Sequence, residues 1–164
     1  MNVMPLLIQI LQDGLFAAIA AIGFAAISRP PRRAYAYCAM IAAVGHALRF
    51  VAMNTALHVH IIPASFIAAF VIGLLAVVLA SHAKFPAETC LFPALLPMIP
   101  GIYAYKTFGG LALGLLADGQ QTFDHYFSLF AYNGMVCCGI LLALVLGATL
   151  PIFVFSKKSF QATR

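Results

Sequence analysis

Charge is what this sequence has least of. Only 8% of its 164 residues are Asp, Glu, Lys or Arg, while 64% are hydrophobic. A soluble domain carries roughly 25% charged residues, so the scarcity points to an integral membrane protein. Apolar runs take up nearly the whole chain, and residues 1–164 read as a single membrane domain with no room for a soluble one. The formal net charge of +5 is not a nucleic-acid signature. The basic residues lie mostly in short connections between apolar runs, a pattern that sets membrane orientation. Lysine and arginine are missing from Met1–Gln12. A secretory signal peptide needs a positive start and a small-residue cleavage site, so the first apolar run reads as a retained span. Cys38, Cys90, Cys137 and Cys138 form no C-x-x-C pair and sit in or beside apolar runs. Such cysteines pack as small apolar residues and argue against a disulfide framework or a metal site. The sequence also lacks a nucleophile–base constellation, a phosphate-binding loop and a zinc motif, so nothing in it argues for an enzyme or a cofactor.

What is there is a series of five apolar segments, each long enough for a bilayer that needs roughly 20 residues. They cover about 4–27, 34–55, 62–81, 87–116 and 126–155, followed by a basic tail at 156–164. The predicted fold is all-α, with five transmembrane helices. Ser28-Arg29-Pro30-Pro31-Arg32-Arg33 stops the first span with two prolines. With five spans the connections alternate sides, which puts Arg29, Arg32, Arg33, Lys84, Lys157, Lys158 and Arg164 together. The opposite side, made of the amino terminus and the connections at 54–63 and 117–125, has no lysine or arginine. The positive-inside rule then predicts an outer amino terminus and a cytoplasmic carboxyl terminus.

The fourth segment cannot be one smooth helix. Pro93, Pro97 and Pro100 each remove a backbone donor and crowd the carbonyl four residues back, and Gly101 permits conformations that other residues resist. A break at Pro97–Gly101 is therefore predicted. In hydrocarbon the freed backbone groups must be satisfied by protein or by water in a cavity, and interrupted helices of this kind form substrate sites in many transporters. The competing reading is a kink that only shapes packing.

Four polar residues within the spans stand out: Asp13, Arg49, Lys106 and Asn133. Charged groups at membrane depth cost several kcal/mol and usually face a bundle interior or water. Helix rise places the four in one layer, about 9–15 Å below the outer surface. His46 and Arg49 are three residues apart and share a helix face. One reading is an Asp13–Arg49 ion pair that fixes helix register. The other is a binding site for an anion or zwitterion, in which the arginine fork takes a carboxylate. Backbone groups at Pro97, Pro100 and Gly101 would then face the ligand, and Asp13 or His46 would carry a proton. Tyr103 and Tyr105 suit a cavity lining or an interface belt, and Lys106 suits either the layer or snorkelling to the surface. His58 and His60 have no third ligand near them in sequence and read as solvated or packing residues.

Several of these residues form a pattern. Gln12-Asp13, Gly23-Phe24 before the proline-containing basic loop, Gly45-His46 followed by Arg49, and Pro97-Met98-x-Pro100-Gly101-x-x-Ala104-Tyr105 resemble the small (YjjB-like) subunit of the split threonine/serine exporter (ThrE-type) family. The similarity covers nearly the whole chain. Its specific part is G-H-x-x-R and P-M-x-P-G-x-x-A-Y occurring in that order and at that separation. The resemblance implies one half of a carrier in the bacterial inner membrane, working with a larger YjjP-like membrane subunit. Fused members contain two membrane domains, and this chain resembles only the second. Substrates of the family include small hydroxy amino acids and succinate-type dicarboxylates, whose carboxylates would suit Arg49. Asp13, His46, Arg49, Pro97, Pro100, Gly101 and Tyr105 coincide with the pattern. Lys106 departs from it, since a neutral residue is expected there, and a cation would favour a second negative charge on the substrate. The alternatives are a homo-oligomeric carrier and a non-transporting scaffold or channel-like subunit.

Overall fold

The computed structural model describes residues 3–55 and 58–155, and every apolar segment is helical within them. The described residues contain no strand. The helices are α1 (Val3–Ser28), α2 (Ala34–Asn54), α3 (Ile61–Ala83), α4 (Glu88–Leu95), α5 (Gly101–Leu115) and α6 (Gln120–Val154), with a 3-10 turn at Leu96–Met98. Four stretches are long and apolar enough to cross a membrane as single helices: Pro5–Ser28, Ala34–Asn54, Ile61–Leu79 and Gln120–Val154. The remaining apolar segment divides into the 8-residue α4 and the 15-residue α5, each shorter than the roughly 20 residues a span needs. Helix α6 starts at Gln120, ahead of the expected start near Tyr126. Its first turn is helped by Gln120, whose amide donates to Asp124 Oδ1 at 2.9 Å.

The chain forms two compact units, one of residues 1–98 and 143–164 and one of residues 99–142. In the first, α2 packs against α1, α3 and α4. Small residues make this possible. Along α1, Gly14, Ala17, Ala21 and Ala25 are buried, while Leu7, Leu11, Leu15 and Ile19 are exposed. The spacing follows one face of a helix, and small side chains let helix backbones approach closely in a membrane. Gly45 of α2 leaves space filled by the Ile72 side chain of α3. The end of α6 lies against α3, where a Cβ on Gly147 would come within 2.6 Å of the Phe66 carbonyl. In the second unit α5 packs on the start of α6. A Cβ on Gly110 would sit 2.8 Å from the Phe130 nitrogen.

The predicted break is present. After the 3-10 turn, Pro100 adopts φ −78° and ψ 61°, and the Gly101 N–H bonds to the Ile99 carbonyl at 2.8 Å. These are the marks of an inverse γ-turn. The conformational burden falls on Pro100, not on Gly101 as the sequence suggests. Gly119 is the described glycine with positive φ, at 103°. Gly101 is already helical.

Candidate functional site

Three elements of the first unit bring polar groups together. Helix α1 carries Asp13, α2 carries His46 and Arg49 on one face, and the end of the α4 segment supplies backbone carbonyls. Asp13 Oδ2 and His46 Nδ1 are 3.1 Å apart. Arg49 Nη1 donates to the Met98 carbonyl at 3.2 Å. The Asp13–Arg49 ion pair, one of the two sequence readings, does not form. The histidine takes the carboxylate, and Asp13 reaches Arg49 only through its field.

The break explains the arginine contact. In a continuous helix the Met98 carbonyl would meet the N–H of residue 102. The turn at Pro100 redirects the chain first, and a carbonyl stranded in a low-dielectric region needs another donor. Cys38 makes a parallel contact. Pro93 has no N–H to offer the Thr89 carbonyl, and Cys38 Sγ lies 3.7 Å from that oxygen as its donor. Thus α2 supplies side-chain donors at two levels of the proline-rich segment. Sequence reasoning treated Cys38 as a packing residue. The signal that could have found its second role was the spacing of Thr89 and Pro93.

His46 is 8% exposed. Its Nε2 is buried with no hydrogen-bond partner among the described residues. Asp13 and Arg49 are half-buried and line a cavity of about 200 Å³ together with Phe50, Met53, Asn54 and Ile61. A guanidinium has five N–H donors, and Met98 engages one nitrogen. The arrangement therefore offers an arginine fork at the wall of a small cavity beside a histidine–carboxylate pair.

The other expected site residues lie elsewhere. Tyr105, Lys106 and Asn133 line a cavity of about 400 Å³ within the second unit. Asn133 is buried, and its amide donates to the Leu129 carbonyl of its own helix at 2.7 Å. Pro100 and Gly101 form the γ-turn itself. His60 helps begin α3, its Nδ1 accepting the Ile62 N–H at 3.4 Å.

Comparison with known proteins fits this architecture. An uncharacterized protein of Haemophilus influenzae (strain ATCC 51907 / DSM 11121 / KW20 / Rd) is 33% identical over 153 residues. The alignment covers 93% of this chain and 50% of the relative, so the chain spans about half the length of that relative. No solved structure matches the chain. The family described as threonine/serine exporter, ThrE, matches residues 13–154. That match begins at Asp13 and takes in both sets of polar residues, and on it the chain belongs to the threonine/serine exporter family.

Proposed function

We propose that the chain is one subunit of a secondary transporter that exports a small carboxylate-bearing metabolite across the bacterial inner membrane. The observation that carries this reading is Arg49, a cation inside a membrane span that is held by a stranded carbonyl and lines a cavity. Intramembrane cations are costly and are kept where they meet a counter-ion or a substrate. Arginine matches a carboxylate with two parallel N–H donors. A cavity of about 150 Å³ accepts benzene, and the cavity of about 200 Å³ here suits threonine, serine or succinate in size. His46 and Asp13 form the proton-carrying pair, with the buried Nε2 as the exchangeable position. Asp13 then positions the imidazole.

In this reading α4 and α5 together make the fifth, interrupted crossing. The amino terminus lies outside and the carboxyl terminus in the cytoplasm, as the one-sided distribution of loop lysines and arginines supports. A larger YjjP-like membrane subunit completes the translocation path. The relative of about twice this length leaves room for such a second half. Counterflow of labelled threonine or succinate in reconstituted vesicles tests the reading. A carrier subunit gives saturable counterflow with its partner. A scaffold gives none that depends on this chain's polar residues.

A further inference from the structure

Helix α6 has 35 residues, a rise of roughly 52 Å at 1.5 Å per residue. The hydrocarbon core is about 30 Å thick, so about 15 residues are surplus. Lys157 and Lys158 come shortly after the helix in sequence, and under the proposed orientation such basic residues mark the cytoplasmic end of the span. The surplus therefore lies at the start of α6, and counting about 20 residues back from Phe155 brings the outer boundary near Met135. Thr107 of α5 is level with this point, since a Cβ on Gly134 would lie 3.4 Å from the Thr107 side chain. Lys106, Tyr132 and Asn133 thus sit at the depth of the outer lipid head groups.

The cavity at this level has the composition of a head-group site. Its polar wall is Lys106, Tyr105, Tyr126 and Tyr132, and its floor includes Gly109 and Leu113. Tyr105, Gly109 and Leu113 are four residues apart along one face of α5, and Tyr126, Leu129 and Asn133 are spaced three and four apart along one face of α6. Gly109 meets nothing at its Cβ position within 4 Å, which keeps the floor open. Tyrosine favours the membrane–water interface. Among the described residues no carboxylate lies within ion-pairing distance of Lys106, so this cation at head-group depth has no counter-ion among them. The volume of about 400 Å³ falls within the range of small-ligand pockets. On the cytoplasmic side of membranes, basic pockets between helices take anionic head groups, and the same charge chemistry applies to a phosphate in the outer leaflet.

We propose that this α5–α6 cavity binds the phosphate of an anionic phospholipid in the outer leaflet, with Lys106 as the counter-ion and the Tyr105 and Tyr132 hydroxyls as further donors. The acyl chains run inward from it, along the exposed apolar surface that carries Ile102 and Met135. This site depends on the membrane orientation proposed above but not on transport by the Arg49 cavity.

Thermal shift of the purified full chain in detergent, with added lipid of matched acyl chains, tests it. Phosphatidylglycerol is expected to bind about fivefold more tightly than phosphatidylcholine, the contribution of one lysine near an anionic surface. Lys106→Gln removes that preference, Lys106→Arg keeps it, and Lys84→Gln, in a connection, leaves it intact. Tyr105→Phe combined with Tyr132→Phe weakens it while preserving ring packing. Equal binding of the two lipids, or an undiminished preference in Lys106→Gln, overturns the proposal. So does a stabilisation by inorganic phosphate equal to that by phosphatidylglycerol, which would identify a free-anion site. These readouts do not involve transport, so their failure is separable from failure of the exporter reading.

Discussion

Arg49 and Met98 are joined by a hydrogen bond of 3.2 Å from the guanidinium to the backbone carbonyl. One side chain thus satisfies a group freed by the helix break and holds its charge at a cavity wall. Under the proposed function, a carboxylate entering that cavity would compete with the Met98 carbonyl for the same cation. Binding and the state of the break would then be coupled through a single residue.

Replacing Pro100 tests the break. Pro100→Ala returns an N–H to the chain opposite the Leu96 carbonyl, and a proline inside a helix costs about 3 kcal/mol. The variant should gain thermal stability and lose transport as the γ-turn gives way to helix. A thermal melt paired with a counterflow assay checks this, and unchanged values in both would detach the turn from function.

Asp13→Asn keeps a hydrogen-bonding group near His46 Nδ1 but removes the charge. It should change the pH dependence of transport. His46→Gln should lower the maximal rate more than it raises the half-saturation concentration, since the proposed roles give His46 the proton and Arg49 the substrate. An unaltered pH profile in Asp13→Asn would assign the pair to helix packing alone.

Gly45→Leu forces a side chain into the volume held by Ile72. Overpacking of this kind costs about 1–3 kcal/mol, so the melting temperature should fall by several degrees. Gly23→Leu places its side chain where nothing lies within 4 Å and should leave stability nearly unchanged. Circular dichroism melts of the two variants separate the cases.

Orientation is open to direct labelling. In a background with Cys137 and Cys138 changed to Ser, a cysteine at Gln121 should react with a membrane-impermeant thiol reagent from outside the cell. One at Lys84 should react only after the membrane is opened. The reverse pattern would invert the proposed topology.

Much of the fold was readable because a membrane span is specified by length and apolar content, and hydrocarbon allows the backbone few options. The break was readable for a similar reason, since three prolines within eight residues leave no regular helix. The partners were not readable. His46 and Arg49 share one α2 face, so whether Asp13 meets one or the other depends on how far α1 and α2 are shifted along each other, and the close approach at Gly14, where a Cβ would lie 3.3 Å from the Ala43 carbonyl, is a tertiary fact. The early start of α6 was hidden because Gln120–His125 is polar and looks like a connection, although its residues tolerate helix. Depth counted along separate spans put Lys106 and Asn133 in one layer with Arg49. In the structure Lys106 and Asn133 line one cavity and Arg49 lines another.

The central claim is that the Arg49 fork holds a substrate carboxylate. Counterflow of labelled threonine and succinate by vesicles containing this chain and its partner, wild type against Arg49→Lys, tests it most directly. Lysine keeps the charge but cannot make two parallel bonds. The account predicts at least a tenfold rise in half-saturation concentration, about 1.4 kcal/mol, in a protein that still inserts and folds. Wild-type counterflow by Arg49→Lys, and by Arg49→Ala beside it, would contradict the account.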